Sequence, residues 1–225
     1  MTPERDPGTL HIRDERLLGM PRNDGDLKRS QAEYYGMISH MDEQIGRIYA
    51  ALEACGELEN TIVIHTADHG LAVGQHGLLG KQNLYDHSVR VPLLLAGPGI
   101  KPDAVKEHLC YQHELHATIM EMIGGDQSEG YFQSLQPMLG AEDVGSRSYV
   151  GCAYEDLQRM VRDEQFKLIE YSVDGQRRTE LFDLEADPWE VNNLSDHPAY
   201  SYRIYTMRQS LKEWKTLTGD GSDWL

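Results

Sequence analysis

A carboxylate, two imidazoles and an ammonium fall within one glycine-rich run, Thr66-Ala-Asp-His-Gly-Leu-Ala-Val-Gly-Gln-His-Gly-Leu-Leu-Gly-Lys81. Asp68 and His69 stand just past a short β-branched segment, and in an open α/β sheet ligands bind beyond the carboxyl ends of the strands. A carboxylate held there suits a hard divalent cation, and Lys81 offers a mobile point charge to an anionic group. Glycines at 70, 74, 77 and 80 let the backbone approach a ligand closely. Spacing alone leaves a second reading open, in which Asp68 caps backbone donors in a turn. His76 is likewise either a pocket-lining residue or an ordinary loop histidine.

The elements that must position this run follow from periodicity. The opening segment to about Asp26 is rich in Pro, Gly, Arg and Asp and reads as an extended loop. From Leu27 to Cys55 the apolar residues Tyr34, Met37, Ile38, Met41, Ile45, Ile48, Tyr49 and Leu52 recur at three- and four-residue steps, one stripe of a long amphipathic helix that Gly56 would cap. Thr61–Thr66 predicts a strand covered on both faces in a parallel sheet, and Val91–Ala96 a second buried strand closed by Gly97-Pro98-Gly99. A short helix over Glu114–Ile123 stops at Gly124-Gly125. Helix, strand, loop and strand in this order predict an α/β layer over residues 1–146. Residues 147–225 have a different texture. Short strands at 149–152, 158–162, 166–171 and 179–182, broken by Asp163-Glu164 and Asp174-Gly175, predict a small antiparallel sheet. A terminal helix carrying Ile204, Met207, Leu211 and Trp214 would pack on it.

Composition sets the outer bounds. The chain has 225 residues, 40% of them hydrophobic, and a chain of this length buries roughly 70% of its unfolded surface without a disulfide or metal to hold it. Its net charge of −16 argues against nucleic acid and anionic membranes as partners, because both would repel it. Cys55, Cys110 and Cys152 form neither a disulfide framework nor a zinc site by spacing. The N-terminal residues contain no signal-like apolar run, and no stretch approaches the ~20 apolar residues of a membrane span.

Three stretches resemble the type I, formylglycine-dependent sulfatases of the alkaline phosphatase superfamily. TIVIHTADHGLAVGQHGLLGKQNLYDHSVRVPLLLAGPG resembles the family's order of strand, Ser-Asp-His/Asn-Gly, glycine-rich loop, Gly-Lys, Val-Pro before a strand, and Gly-Pro-Gly. Residues 34–47 are similar to the helix before that strand, and Glu180-Leu-Phe-Asp-Leu-Glu-Ala-Asp-Pro-Trp-Glu-Val-Asn-Asn-Leu194 is similar to a C-terminal signature. The resemblance covers about residues 27 to 194. It implies an alkaline-phosphatase-like α/β fold, incomplete at the N-terminus, with a small C-terminal antiparallel subdomain plus helix. It also implies hydrolysis of a small-molecule or carbohydrate sulfate ester with bound calcium (Ca2+).

Carried over by position, Asp68 and His69 match metal ligands and Lys81 matches the lysine on the substrate sulfate. Calcium prefers oxygen, so His69 is also a candidate sulfate contact, and His76 a catalytic candidate beside Lys81. Gln82, Asn83, Tyr85 and His87 are candidate wall residues. The family makes its nucleophile within Cys/Ser-x-Pro-Ser-Arg, and none of the three cysteines here is followed by that pattern. The family's early aspartate pair also has no counterpart. The expectation is therefore the C-terminal portion of a longer sulfatase, lacking its nucleophile and inactive alone, whose missing N-terminal half is its partner. On that account the chain is cytoplasmic if Met1 is the true start, and periplasmic or secreted if a signal peptide lies upstream. The alternatives are a phosphonate or phosphodiester hydrolase of the same superfamily and a catalytically inactive acidic binding module.

Two other clusters carry less. His113-Glu-Leu-His116 spaces its histidines three apart, whereas the zinc protease motif needs four; Glu114 reads as the acid that opens a helix. The acidic run from Glu180 to Glu190 reads as a solvated loop.

Overall fold

The computed structural model describes residues 8, 12–19, 21–125, 133–140 and 147–224. They gather into two compact units that interleave along the chain: a helix unit of Leu18–Asp68 and Val91–Gly145, and a sheet unit of the chain up to Leu17, His69–Arg90 and Ser146–Leu225.

The helix unit is led by α1, Asp24–Ala54. It starts three residues earlier than the apolar stripe, because Asn23 caps it by accepting the Asp26 N–H at 2.9 Å. It ends as expected: Gly56 takes a left-handed φ of 76° and the Glu57 N–H reaches the Leu52 carbonyl at 2.9 Å. None of α1 is buried, and Met37, Met41 and Ile48 of the stripe stand exposed. The strands are shorter than expected, β1 at Val63–Thr66 and β2 at Leu93–Ala96. They pair antiparallel, with Val63 opposite Ala96 and Thr66 opposite Leu93, which corrects the expectation of a parallel sheet buried on both faces. Burial alternates along β2 and leaves Leu94 exposed, so a continuous apolar run here encodes a strand covered on one face. Gly97 is obligatory at φ 132°, since a Cβ there would lie 2.5 Å from the Thr61 carbonyl oxygen. Helix α2, Glu114–Met122, begins with Glu114 accepting the Tyr111 N–H at 2.8 Å and stops at Gly124, φ 70°. The mixed stretch expected up to Ser146 falls partly on residues 126–132 and 141–146, outside the described residues.

The sheet unit carries the larger core. Strands β3 (Val150–Tyr154), β4 (Gln158–Arg162), β5 (Phe166–Val173) and β6 (Gln176–Asp183) form a four-stranded antiparallel meander in chain order. Asp174 and Gly175, at φ 50° and 76°, make the two-residue turn that the right-handed strand twist favours. On one face Val161, Phe166, Leu168 and Leu181 pack against Ile204, Met207 and Leu211 of the terminal helix α3, Ser201–Thr218. On the other face Met160, Ile169, Tyr171 and Phe182 pack against Ala72, Leu78, Leu84 and Tyr85 of the glycine-rich loop. Each of the Val, Leu, Ile, Phe and Met side chains among them contributes roughly 1.5–3 kcal/mol when removed from water. Gly151 lies so close under α3 that a Cβ would meet the Trp214 ring at 2.5 Å.

Two readings from the sequence are corrected here. Glu180 and Glu190 are buried, not solvated. The Glu180 carboxylate accepts from Tyr85 at 2.8 Å and Tyr171 at 2.9 Å. Glu190 pairs with the fully buried Lys167 at 2.6 Å and accepts the Asp86 N–H at 2.7 Å. Lys167 also pairs with Asp86, which Arg162 meets at 2.9 Å. Burial pushes Glu190 up in pKa despite Lys167; at Asp86 burial also pushes up, but the Lys167 and Arg162 charges prevail and hold it down. The opening segment, read as an extended loop, carries a 3-10 turn at Asp14–Leu17 with Asp14 and Glu15 buried; its residues 1–7, 9–11 and 20 lie outside the described residues.

Candidate functional site

The loop that follows β1 is built as a tight hairpin within the sheet unit. Ala72 N–H donates to the Gly80 carbonyl at 2.9 Å and Gly74 N–H to Leu78 at 2.7 Å, while Leu78, Leu79 and Gly80 are buried. Its start is fixed by the Gly70 N–H on the Ser88 carbonyl at 2.9 Å. A Cβ at Gly70 would lie 2.0 Å from the His87 carbonyl oxygen, so this glycine is a packing requirement as well as a turn.

His69, His76 and Lys81 all ride on this loop, whereas Asp68 is the last residue of the preceding helix-unit segment. Asp68 is exposed, and His69 Nδ1 lies 2.9 Å from the Gly70 carbonyl oxygen. His76 has φ 53°, a left-handed conformation unusual for a residue with a Cβ. Its ring stacks on Tyr85 at 4.1 Å and 9°, and its buried Nε2 has no hydrogen-bond partner among the described residues. Burial lowers its pKa, so the ring is neutral near pH 7. It lines a cavity of about 810 Å³ with Tyr85, Arg178, Glu180, Asn193 and Arg208.

Of the candidate wall residues, Asn83 is turned inward, its Oδ1 accepting from the Tyr85 N–H at 3.2 Å and the Ser88 hydroxyl at 2.9 Å. His87 is held neutral by burial, with its pKa pushed down to about 3. Tyr85 faces the cavity, and its hydroxyl is spent on Glu180.

Lys81 is partly exposed and its Nζ lies 3.3 Å from Asp14 Oδ2. The same carboxylate accepts from Gln82 Nε2 at 3.0 Å and Arg13 Nε at 2.7 Å. The Gln82 hydrogen bond, then Arg13 and Lys81, hold Asp14 ionised with a pKa of about 2. Glu15 accepts the Leu79 N–H at 3.0 Å and the Gly80 N–H at 2.7 Å. A Cβ at Gly80 would sit 3.0 Å from both Asp14 Cβ and Glu15 Oε1, so the glycine before the lysine admits this acidic pair. The sequence reading did not single out Asp14 or Glu15. Their signal was the charge cluster Arg13-Asp-Glu-Arg16 in an otherwise aperiodic segment, which identifies no partner 65 residues away.

Chemically, Lys81 presents a cation in a fixed frame, suited to an anionic group, whereas His76 presents its ring to a separate cavity whose lining does not include Lys81. Among the described residues no three His, Cys, Asp or Glu side chains gather where they could hold a metal ion, and no helix is long and apolar enough to cross a membrane.

Comparisons with known proteins bear on this arrangement. Residues 5–125 match the sulfatase family model, and residues 74–216 match that of the N-sulphoglucosamine sulphohydrolase C-terminal region. An arylsulfatase of Clostridium perfringens is 32% identical over 82% of this chain and 40% of its own length. A choline-sulfatase of Rhizobium meliloti is 33% identical over 76% of this chain and 34% of its own. The solved structure of a phosphonate monoester hydrolase from Silicibacter pomeroyi superposes with a TM-score of 0.81 at 25% identity, over 97% of this chain and 48% of that one. The chain therefore spans less than half the length of each.

Proposed function

The chain belongs to the sulfatase family, and from that premise we propose that it forms part of a sulfuric ester hydrolase in which Lys81 grips the ester sulfate. The observation that carries this reading is the overlap of the two family models on residues 74–125, the segment that holds Lys81 at the end of an ordered hairpin. An ammonium placed against the sulfate oxygens offsets charge that grows in the transition state, a contribution worth several kcal/mol in a water-poor site. His76, its pKa lowered by burial, offers one donor and one acceptor to the cavity it lines rather than a second charge.

Asp68 and His69 are proposed to contribute to a calcium site. Calcium takes 6–8 oxygen ligands, so one carboxylate and one imidazole do not by themselves fit it. The other ligands, and the formylglycine nucleophile, would come from outside these 225 residues. The exposed apolar stripe of α1 supports a larger assembly, since a contiguous apolar face of this kind marks a surface that is covered in the working protein. The chain alone is then expected to be inactive.

The test has two stages. Reading the DNA upstream of the Met1 codon should reveal an in-frame Cys or Ser followed by x-Pro-Ser-Arg and an earlier aspartate pair. In the protein carrying both parts, Lys81→Ala should lower kcat/KM for an aryl sulfate by about 10²–10³-fold; unchanged kcat/KM would overturn the assignment of Lys81. Chelation followed by calcium readdition should abolish and restore turnover.

A second reading is favoured by the structural likeness to the phosphonate monoester hydrolase. A lysine that meets a tetrahedral sulfate also meets a tetrahedral phosphoryl group, so the substrate would be a phosphonate or phosphate ester. Preference for a phosphodiester over the matched aryl sulfate would select it.

A further inference from the structure

A lysine ammonium at the end of a four-carbon stem loses much rotamer freedom when it engages a ligand. A site that needs such a cation gains affinity when the stem is ordered beforehand. Here the ordering groups come from a segment far upstream in sequence. Glu15 fixes the backbone on the approach to Lys81 by taking the N–H groups of Leu79 and Gly80, at 3.0 and 2.7 Å. Asp14 fixes the side chain, at 3.3 Å from Nζ, and is itself held by Arg13 and Gln82. The ammonium has three N–H donors, and one carboxylate oxygen engages only part of that capacity. Both acids are buried, and Gly80 leaves the room they occupy.

We propose that Asp14 and Glu15 are positioning residues for Lys81: an acidic clamp that sets the loop backbone and the ammonium before an anionic ester arrives. The proposal rests on the reading of Lys81 as the group that binds the sulfate. A clamp of this kind acts through Lys81 and does not touch the substrate, which separates it from a metal ligand despite its two carboxylates.

Competitive acetylation of the 225-residue chain with trace acetic anhydride, read by peptide mass spectrometry, tests it. Lys28 and Lys212, both exposed, serve as internal references. Lys81 should label more slowly than either. Asp14→Asn should raise labelling at Lys81 by about three- to fivefold, the size of a partly exposed ion pair, with the references unchanged, and Asp14→Glu should bring it back toward the native rate. Glu15→Gln should speed amide hydrogen exchange at Leu79 and Gly80 while the sheet amides stay protected, which keeps the test open if Asp14→Asn does not fold. A merely structural role would instead change all lysines together. Unchanged Lys81 labelling in folded Asp14→Asn overturns the proposal.

Sodium sulfate, against sodium chloride at equal ionic strength, separates the clamp from the functional reading. Sulfate should protect Lys81 in the native chain and protect it about threefold less well in Asp14→Asn. Equal protection in both overturns the clamp as a device for anion binding. A labelling rise in Asp14→Asn with no sulfate protection in the native chain upholds the clamp on Lys81 and overturns the sulfate role.

Discussion

Helices α1 and α3 carry the same kind of apolar stripe and meet opposite fates. In α3, Ile204, Met207 and Leu211 are 7%, 4% and 1% exposed. In α1, Met37, Met41 and Ile48 are 64%, 49% and 61% exposed. The difference lies in what each unit contains. The sheet unit supplies α3 with a whole face of β4, β5 and β6, and it covers the opposite face with the Lys81 loop. Among its described residues the helix unit offers α1 the two short strands, α2, a single turn of helix at Gln136–Leu139 and a 3-10 turn at Leu58–Asn60, and only Leu115, Ala117 and Leu135 form buried apolar positions there. An amphipathic pattern thus states that a face is to be covered, and leaves open which partner covers it.

The contrast is open to direct tests. Lys167→Met should have the largest effect, destabilising the sheet unit by about 3–5 kcal/mol in urea melts, because Glu190 would be left buried without its cation while Asp86 would keep Arg162. Leu211→Ala should cost about 2–5 kcal/mol by the same measurement. Lowering the pH should weaken the sheet unit in two windows. His87 has a folded pKa of about 3, below its ordinary 6.5, so the unfolded chain binds the proton first. The stability tied to its neutral form is then lost as pH falls from about 6.5 toward 3, by at most about 1.4 kcal/mol per pH unit. His87→Phe should flatten that window. Asp14 and Asp220, both held at about 2, give stability that is present above pH 4 and lost between about 4 and 2. At the smallest end, Met41→Lys should change stability by no more than about 0.5 kcal/mol while reducing dye binding by exposed apolar surface. A loss as large as that of Leu211→Ala would break the comparison, since it would mean that the α1 face is covered in the chain as it stands.

The fold was more legible than the arrangement of its parts. The sheet of residues 150–183 could be read because each strand is short, β-rich and bounded by turn residues, and Asp174-Gly175 fixes a hairpin by backbone chemistry alone. The ends of α1 and α2 could be read from Gly56 and Gly124 for the same local reason. Pairing direction could not. The apolar runs at Thr61–Thr66 and Val91–Ala96 look alike in a parallel or an antiparallel sheet, and only the observed register, Val63 opposite Ala96, shows that they pair antiparallel. Burial of Glu180 and Glu190 was equally hidden, because a carboxylate goes inside only when particular partners, Tyr85, Tyr171 and Lys167, wait there.

The sequence by itself determined the family, through Asp68-His69-Gly70 and Gly80-Lys81 in their order, and it determined the elements that local hydrogen bonding and periodicity control. Tertiary structure alone decided that Lys81 is met by Asp14 and its loop by Glu15. Such a contact depends on the free energy of closing a long loop and on burial of the surfaces that close it, neither of which leaves a mark in the spacing of the residues that finally touch.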